Sequence, residues 1–248
     1  MRNANITTRL RTSGKKPTSA GALAILHADV IGCTRCERLR SYCGEVALEK
    51  RRAFAAWEYW GKPVPGFGDA RAPLWIIGLA PAAHGANRTG RVFTGDRSGD
   101  FLFAGLHRAG YASQPTSVHR DDGLALRDCY ISATARCAPP DNKPLPSEVA
   151  NCSAFLDREW DLLRHKRVIL ALGGIAWDAA LALASRHGCA IPPPKPKFGH
   201  GAVVPLGDGL HLIGSYHVSQ QNTFTGRLTE AMFDALLRSC RELAGGNS

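Results

Sequence analysis

Val168-Ile169-Leu170-Ala171-Leu172-Gly173-Gly174 sets five apolar residues directly before two glycines. A short, fully apolar run reads as a strand buried on both faces, and the glycines as the turn that lets a helix begin. A helical pattern then runs to Arg186 and is closed by Gly188. Working outward, the same order recurs. Leu74-Trp75-Ile76-Ile77 leads into Gly78, a polar Gly-rich loop and a helix near 100–108 closed by Gly110. Cys129-Tyr130-Ile131 leads into Arg136-Cys137-Ala138-Pro139-Pro140 and a helix opened by Ser147 and Glu148. Leu210-His211-Leu212-Ile213 leads into Gly214-Ser215-Tyr216-His217 and a helix from about 228 to 243. Short strands at 203–206 and 210–213 predict a hairpin through Gly207-Asp208-Gly209. Thr18 or Ser19 caps a first helix with Leu23, Leu26 and Val30 on one face, ending at Gly32. Strands alternating with amphipathic helices predict a three-layer α/β/α sandwich with a central, mostly parallel sheet of about four strands. Residues 1–17 read as a flexible basic arm and 18–248 as a single domain. The unusual loops all fall past the carboxyl ends of strands, where open α/β sheets bind ligands.

Composition narrows the class. In 248 residues, 31 Lys and Arg face 21 Asp and Glu, a formal charge of +10. Such a balance favours a polyanion such as nucleic acid. No apolar run approaches the ~18 residues of a membrane span, and no apolar segment of signal-peptide type follows the early basic residues. The expectation is a cytoplasmic protein, monomeric and free of membranes.

The eight cysteines suit metal or redox chemistry better than disulfides in such a chain. Cys33 and Cys36 form a C-x2-C pair, which lets two thiolates grip one metal or one cluster face. Cys137 and Cys152 form a wider pair, one on a post-strand loop and one in the following helix. Thiolates at this spacing select zinc or an iron–sulfur cluster. Cys43, Cys129, Cys189 and Cys240 have no paired spacing and read as core.

The loop from Gly78 to Asp96 is the most informative stretch. Its Gly and Ala residues let backbone approach a ligand. His84, Asn87, Arg88, Thr89 and Arg91 supply donors for phosphate or base edges, and Phe93 supplies a plane for stacking. There is neither a P-loop nor a G-x-G-x-x-G.

GLAPAAHGANRTGR-x-FTGD, YISATARCAPPDNKP (130–144) and GSYHVS (214–219) together resemble the three active-site motifs of the uracil-DNA glycosylase superfamily. More narrowly they are similar to its family 5, which carries an iron–sulfur cluster. The resemblance runs from about Cys33 to the last helix. It implies hydrolysis of the N-glycosidic bond of a base flipped out of damaged DNA, because the glycosidic carbon is unreachable in a duplex. It also implies a [4Fe-4S] cluster rather than zinc on Cys33, Cys36, Cys137 and Cys152. Under this resemblance Gly78, Ala80, Pro81 and Phe93 line the base site, with Phe93 stacking. His217 donates to the base as charge develops on it. Asn142 orients the water, and Asp96 supports it or stabilises the cation, or else caps a helix. His84, Arg88, Arg91, Ser219 and Arg227 hold DNA, and Gly226-Arg227-Leu228 falls where relatives wedge into the duplex. Leu79, Ala80 and Ala133 stand where other relatives carry polar residues. A site with fewer hydrogen bonds to one base edge should accept more bases, hypoxanthine included. No lysine is placed as a Schiff-base nucleophile, although Lys143 is adjacent, so the expected enzyme is monofunctional. Two rivals remain: a non-catalytic four-cysteine protein that binds nucleic acid, and an α/β enzyme acting on a free nucleoside, whose turnover would be nearly independent of salt.

Overall fold

A computed structural model of the protein describes residues 18–245. The basic arm at 1–17 lies outside the described residues. Helix α1 (Ser19–Ile31) opens with Thr18 as its cap, whose Oγ1 accepts from the Gly21 N–H at 3.2 Å. After a turn carrying Cys33 and Cys36 comes α2 (Glu37–Glu49), which the sequence reading did not anticipate. The chain then runs through β1 (Phe67–Gly68), β2 (Leu74–Gly78), the short α3 (Ala86–Thr89), α4 (Arg97–Arg108) and β3 (Cys129–Ala133). It continues through α5 (Pro146–Leu162), β4 (Val168–Leu172), α6 (Gly174–Arg186), β5 (Val203–Gly207), β6 (Leu210–Ser215), α7 (Gln220–Phe224) and α8 (Glu230–Leu243).

The sheet has six strands, ordered β1-β3-β2-β4-β6-β5, where about four were expected. The expected part is the parallel centre, β3, β2, β4 and β6, with Leu74 in register with Cys129 on one side and Val168 on the other. Both edges are antiparallel: β5 returns on β6 as the hairpin expected at 203–213, and β1, which was not expected, pairs with β3. Two residues of β1 are too few to leave a periodic signal.

Alternate residues along the central strands feed opposite cores, as the pleat requires. Leu74, Ile76, Ile131, Leu170 and Ile213 meet Leu102, Phe103 and Leu106 of α4 and Phe233 and Leu237 of α8. Trp75, Ile77, Tyr130, Ile169 and Leu212 meet α1, α5 and α6 through Leu26, Phe155 and Trp177. Each such buried side chain contributes about 1.5–3 kcal/mol by leaving water. The result is helix, sheet and helix in three layers, with every parallel strand ending at the same edge.

Candidate active site

That edge carries an open cleft of about 1210 Å³, walled by loops that follow β2, β3 and β6. The first two loops are tied together. The Gly78 carbonyl accepts from the Thr134 N–H and hydroxyl at 2.9 and 2.8 Å, and the Leu79 carbonyl accepts from the Ala135 N–H at 2.9 Å.

Phe93 lies against the end of β2. A Cβ added to Gly78 would stand 2.7 Å from the Phe93 ring, so glycine is what lets the ring settle there. Phe93 also adopts φ 51°, a strained conformation for a bulky residue. The first turn of α4 presses on its carbonyl, since a Cβ at Gly99 would meet that oxygen at 1.8 Å. The ring is therefore over-determined by its neighbours. His217 faces it with centroids 6.3 Å apart and planes tilted by 38°. Burial pushes the His217 pKa below the usual histidine value, which keeps the imidazole neutral near pH 7. Asn222 Nδ2 donates to the His217 carbonyl at 2.8 Å and fixes this turn.

Asp96 caps α4, its Oδ1 accepting from the Gly99 N–H at 3.0 Å. It also lines the cleft. Burial raises its pKa, against the lowering effect of the Gly99 and Ser98 N–H groups. A Cβ at Gly85 would fall 2.0 Å from Asp96 Oδ2, so the carboxylate sits directly against loop backbone. Asn142 reaches the cleft from the turn after Pro139-Pro140, with φ 55° following φ 53° at Asp141.

Cys36, Cys137 and Cys152 neighbour one another behind the second loop. None is in a disulfide. Cys152 on α5 neighbours Cys137 and Cys36, and burial pushes its thiol up to about 11. Cys33 stands three residues before Cys36, in the turn between α1 and α2. Asn151 Nδ2 donates to Cys36 Sγ at 3.4 Å, and Cys43, whose spacing reads as core, stands in hydrogen-bond contact with Cys137. Hydrogen bonds to sulfur are what a deprotonated ligating thiolate requires. Among the described residues, no three His, Cys, Asp or Glu side chains are grouped to hold a single metal ion. The chemistry of Cys36, Cys137 and Cys152, neighbouring thiols with Cys33 close in sequence, is compatible with an iron–sulfur cluster.

The Uracil DNA glycosylase superfamily model matches residues 65–241, a span holding the sheet and all three cleft loops. This chain belongs to the uracil-DNA glycosylase superfamily. It is 56% identical over 227 residues to type-5 uracil-DNA glycosylases of Mycobacterium bovis and Mycobacterium tuberculosis, covering 91% of this chain and 83% of each relative. It is 51% identical to the type-5 uracil-DNA glycosylase of Mycobacterium leprae, over 91% of this chain and 97% of that one. The family 5 resemblance read from the motifs is borne out by these relatives.

Within this superfamily member the residues singled out from sequence separate into groups. Ala80, His84, Arg88, Phe93, Asp96, Asn142, His217 and Ser219 line one cleft. Gly78 and Pro81 are buried beneath it. His84 Nδ1 is 3.1 Å from the Tyr59 hydroxyl, and its pKa is lowered by burial and then by Arg51 and Arg88. Arg88 is clamped between the Phe54 and Trp57 rings at 3.9 and 4.0 Å, and donates to the His84 and Gly95 carbonyls at 2.8 and 2.7 Å. Arg91 is a correction. It is 4% exposed and is absent from the cleft walls. It donates to Asp122 at 2.9 and 2.7 Å, to Thr94 and Ser117 hydroxyls at 2.9 and 3.0 Å, and to the Arg120 carbonyl at 3.1 Å. No donor is left for phosphate, so Arg91 braces the loop. Arg227 is exposed and held over the Tyr216 ring at 4.6 Å, outside the cleft lining.

Leu228 is a second correction. It is 1% exposed and belongs to the core, so it has no free side chain to insert anywhere. The free apolar side chain nearby is Phe224, 78% exposed at the end of α7. Sequence reading also passed over the wall formed by Tyr42, Arg51, Phe54 and Trp57. The signal was the interleaving of Arg51 and Arg52 with Phe54 and Trp57.

Proposed function

We propose that this chain is a monofunctional DNA glycosylase that hydrolyses the N-glycosidic bond of uracil flipped out of DNA and leaves an abasic site. Membership of the superfamily supports the reaction class. The observation that carries the assignment to this cleft is the strained Phe93 plane facing a half-buried His217 whose pKa is lowered by desolvation. A flat heterocycle stacks on Phe93. The His217 imidazole donates a hydrogen bond to a base oxygen as negative charge builds there, a bond that strengthens in the transition state. Asn142 orients the attacking water; an amide has no basicity with which to deprotonate it. The Asp96 carboxylate stabilises the cationic sugar from its capped position. Ser219, His84 and the exposed Arg51 hold the strand, and Phe224 fills the gap left by the flipped base.

Ala80 and Ala133 place methyl groups where a discriminating polar side chain would stand, so hypoxanthine is a second substrate. Cys33, Cys36, Cys137 and Cys152 hold a [4Fe-4S] cluster. When bound it ties α1 and α5 to the loop that carries Asn142. The protein works as a cytoplasmic monomer, and no described helix is long and apolar enough to cross a membrane.

The test is base release under anaerobic single-turnover conditions, from duplexes carrying uracil, hypoxanthine or neither, with alkali to reveal abasic sites. Cleavage at both damaged bases but not in the control is expected. Binding without release, by folded and metal-loaded protein, would replace this reading with that of a non-catalytic nucleic-acid-binding protein.

A further inference from the structure

A chain of buried polar groups crosses the core and ends at the cysteines. His27 on α1 places Nε2 2.9 Å from the Tyr130 hydroxyl. That hydroxyl donates to Glu159 Oε1 at 3.1 Å, so the His27 N–H donates to the hydroxyl oxygen. Arg136 Nη2 donates to Glu159 Oε2 at 2.6 Å. Arg136 is 1% exposed and Glu159 is fully buried. The loop before β1 seals this chain from above, since a Cβ on Gly66 would meet the Tyr130 hydroxyl at 2.0 Å.

The chain is closed at its Glu159 end and open at the other. Arg136 Nε and Nη1 are buried without any acceptor. Arg40, beside Cys137, repeats the pattern: Nη2 donates to the Gly61 carbonyl at 3.0 Å and Nη1 is buried without an acceptor. A buried charged donor without a partner is costly. Three such nitrogens belong to two arginines that neighbour Cys152 and Cys137, and point to an occupant rich in acceptors and negative in charge. A cluster held by four thiolates is such an occupant.

We propose that Arg136 and Arg40 are positioning residues of the cysteine site, whose charge and open donors raise the reduction potential and strengthen the retention of an iron–sulfur cluster bound there, with Glu159 limiting the effect of Arg136. The proposal rests on the cluster reading given above. Its physics is direct. A positive charge or a hydrogen bond near the cluster sulfurs stabilises the reduced, more negative form and so raises the potential. A carboxylate beside that charge offsets it.

The experiment uses the full chain purified anaerobically as wild type, Arg40→Gln, Arg136→Met, Arg136→Lys and Glu159→Gln. Iron and sulfide per chain are counted, midpoints are measured by mediated titration, and iron release to a chelator is timed. The midpoint should fall in Arg40→Gln and Arg136→Met, rise in Glu159→Gln, and stay near wild type in Arg136→Lys. Chelator should take iron roughly tenfold faster from the first two variants. Arg40 is only half-buried, so Arg40→Gln keeps the test decisive if Arg136→Met does not fold. Intact clusters with unmoved midpoints, or Arg40→Gln and Glu159→Gln shifting the same way, would overturn the inference alone. Zinc or no metal in the wild type would overturn the cluster reading and this inference together.

Discussion

Arg91 and Arg136 are both buried arginines, each paired to a buried or half-buried carboxylate, and they are finished differently. Arg91 sends all its donors to Asp122, Thr94, Ser117 and the Arg120 carbonyl, tying the loop that carries Phe93 to the segment between α4 and β3. Arg136 satisfies one nitrogen on Glu159 and leaves two without partners beside Cys152. A buried cation with every donor used is a brace, because nothing remains for a ligand to engage. One with donors left over is half of a contact. Arg91 is thus complete without an occupant, whereas Arg136 is not; in the loop of Arg91 itself, Arg88 Nη1 and Asn87 Oδ1 are likewise buried without partners.

The largest effect that could break this contrast comes from Arg91→Met. It strands Asp122 and Ser117, and breaking such a pair costs about 3–5 kcal/mol. The urea midpoint should drop accordingly, while iron per folded molecule stays at the wild-type value. A fall in iron content as well would mean that the two regions are not separate. Next comes His217→Ala, which removes a donor from the braced side. Single-turnover uracil release should slow about 10²–10³-fold, with the visible spectrum of the protein unchanged. Smaller is Gly78→Ala, whose new methyl must displace the Phe93 ring. Overpacking of this kind costs about 1–3 kcal/mol, and base release should weaken about tenfold with little change at the cysteines. The smallest effect is a pH dependence. Burial alone would raise the Asp122 pKa, but Arg91 and three backbone N–H groups outweigh it and hold the carboxyl below its usual range. A depressed folded-state pKa contributes stability above the unfolded value of about 3.9, and that stability is lost as pH falls below it. Acid denaturation followed by circular dichroism should show this limb in the wild type and a shallower one in Arg91→Met.

What could be read from the sequence follows the range of the forces involved. The central strands announce themselves because Val168–Leu172 and Leu74–Gly78 are apolar on both faces. The cleft's location follows from topology alone, since parallel strands must end together. Helix α2 left a trace, with Leu39, Cys43 and Val46 at helical spacing, but the neighbouring cysteines draw the eye. Arg91 misleads for a physical reason. An arginine in a polar, Gly-rich loop is chemically suited to phosphate, and its actual partners Ser117 and Asp122 lie 26 and 31 residues away. No local periodicity connects them. Leu228 and Phe224 invert for the same reason: which of two nearby apolar residues turns inward is settled by α8 packing on α4, not by the segment itself. The orphan donors of Arg40 and Arg136 are invisible in sequence, because an unmade hydrogen bond exists only in three dimensions.

Asp96 has a consequence for how such a protein can diversify. Its helix-capping task could be performed by Asn, Ser or Thr at nearly the same free energy. Capping therefore does not require the carboxylate; the proposed role beside the cationic sugar would. A lineage could exchange that side chain in a single codon step, alter the reaction it favours, and keep α4 in place while doing so. The position is a point at which descendants can explore new substrates without first having to repair the fold.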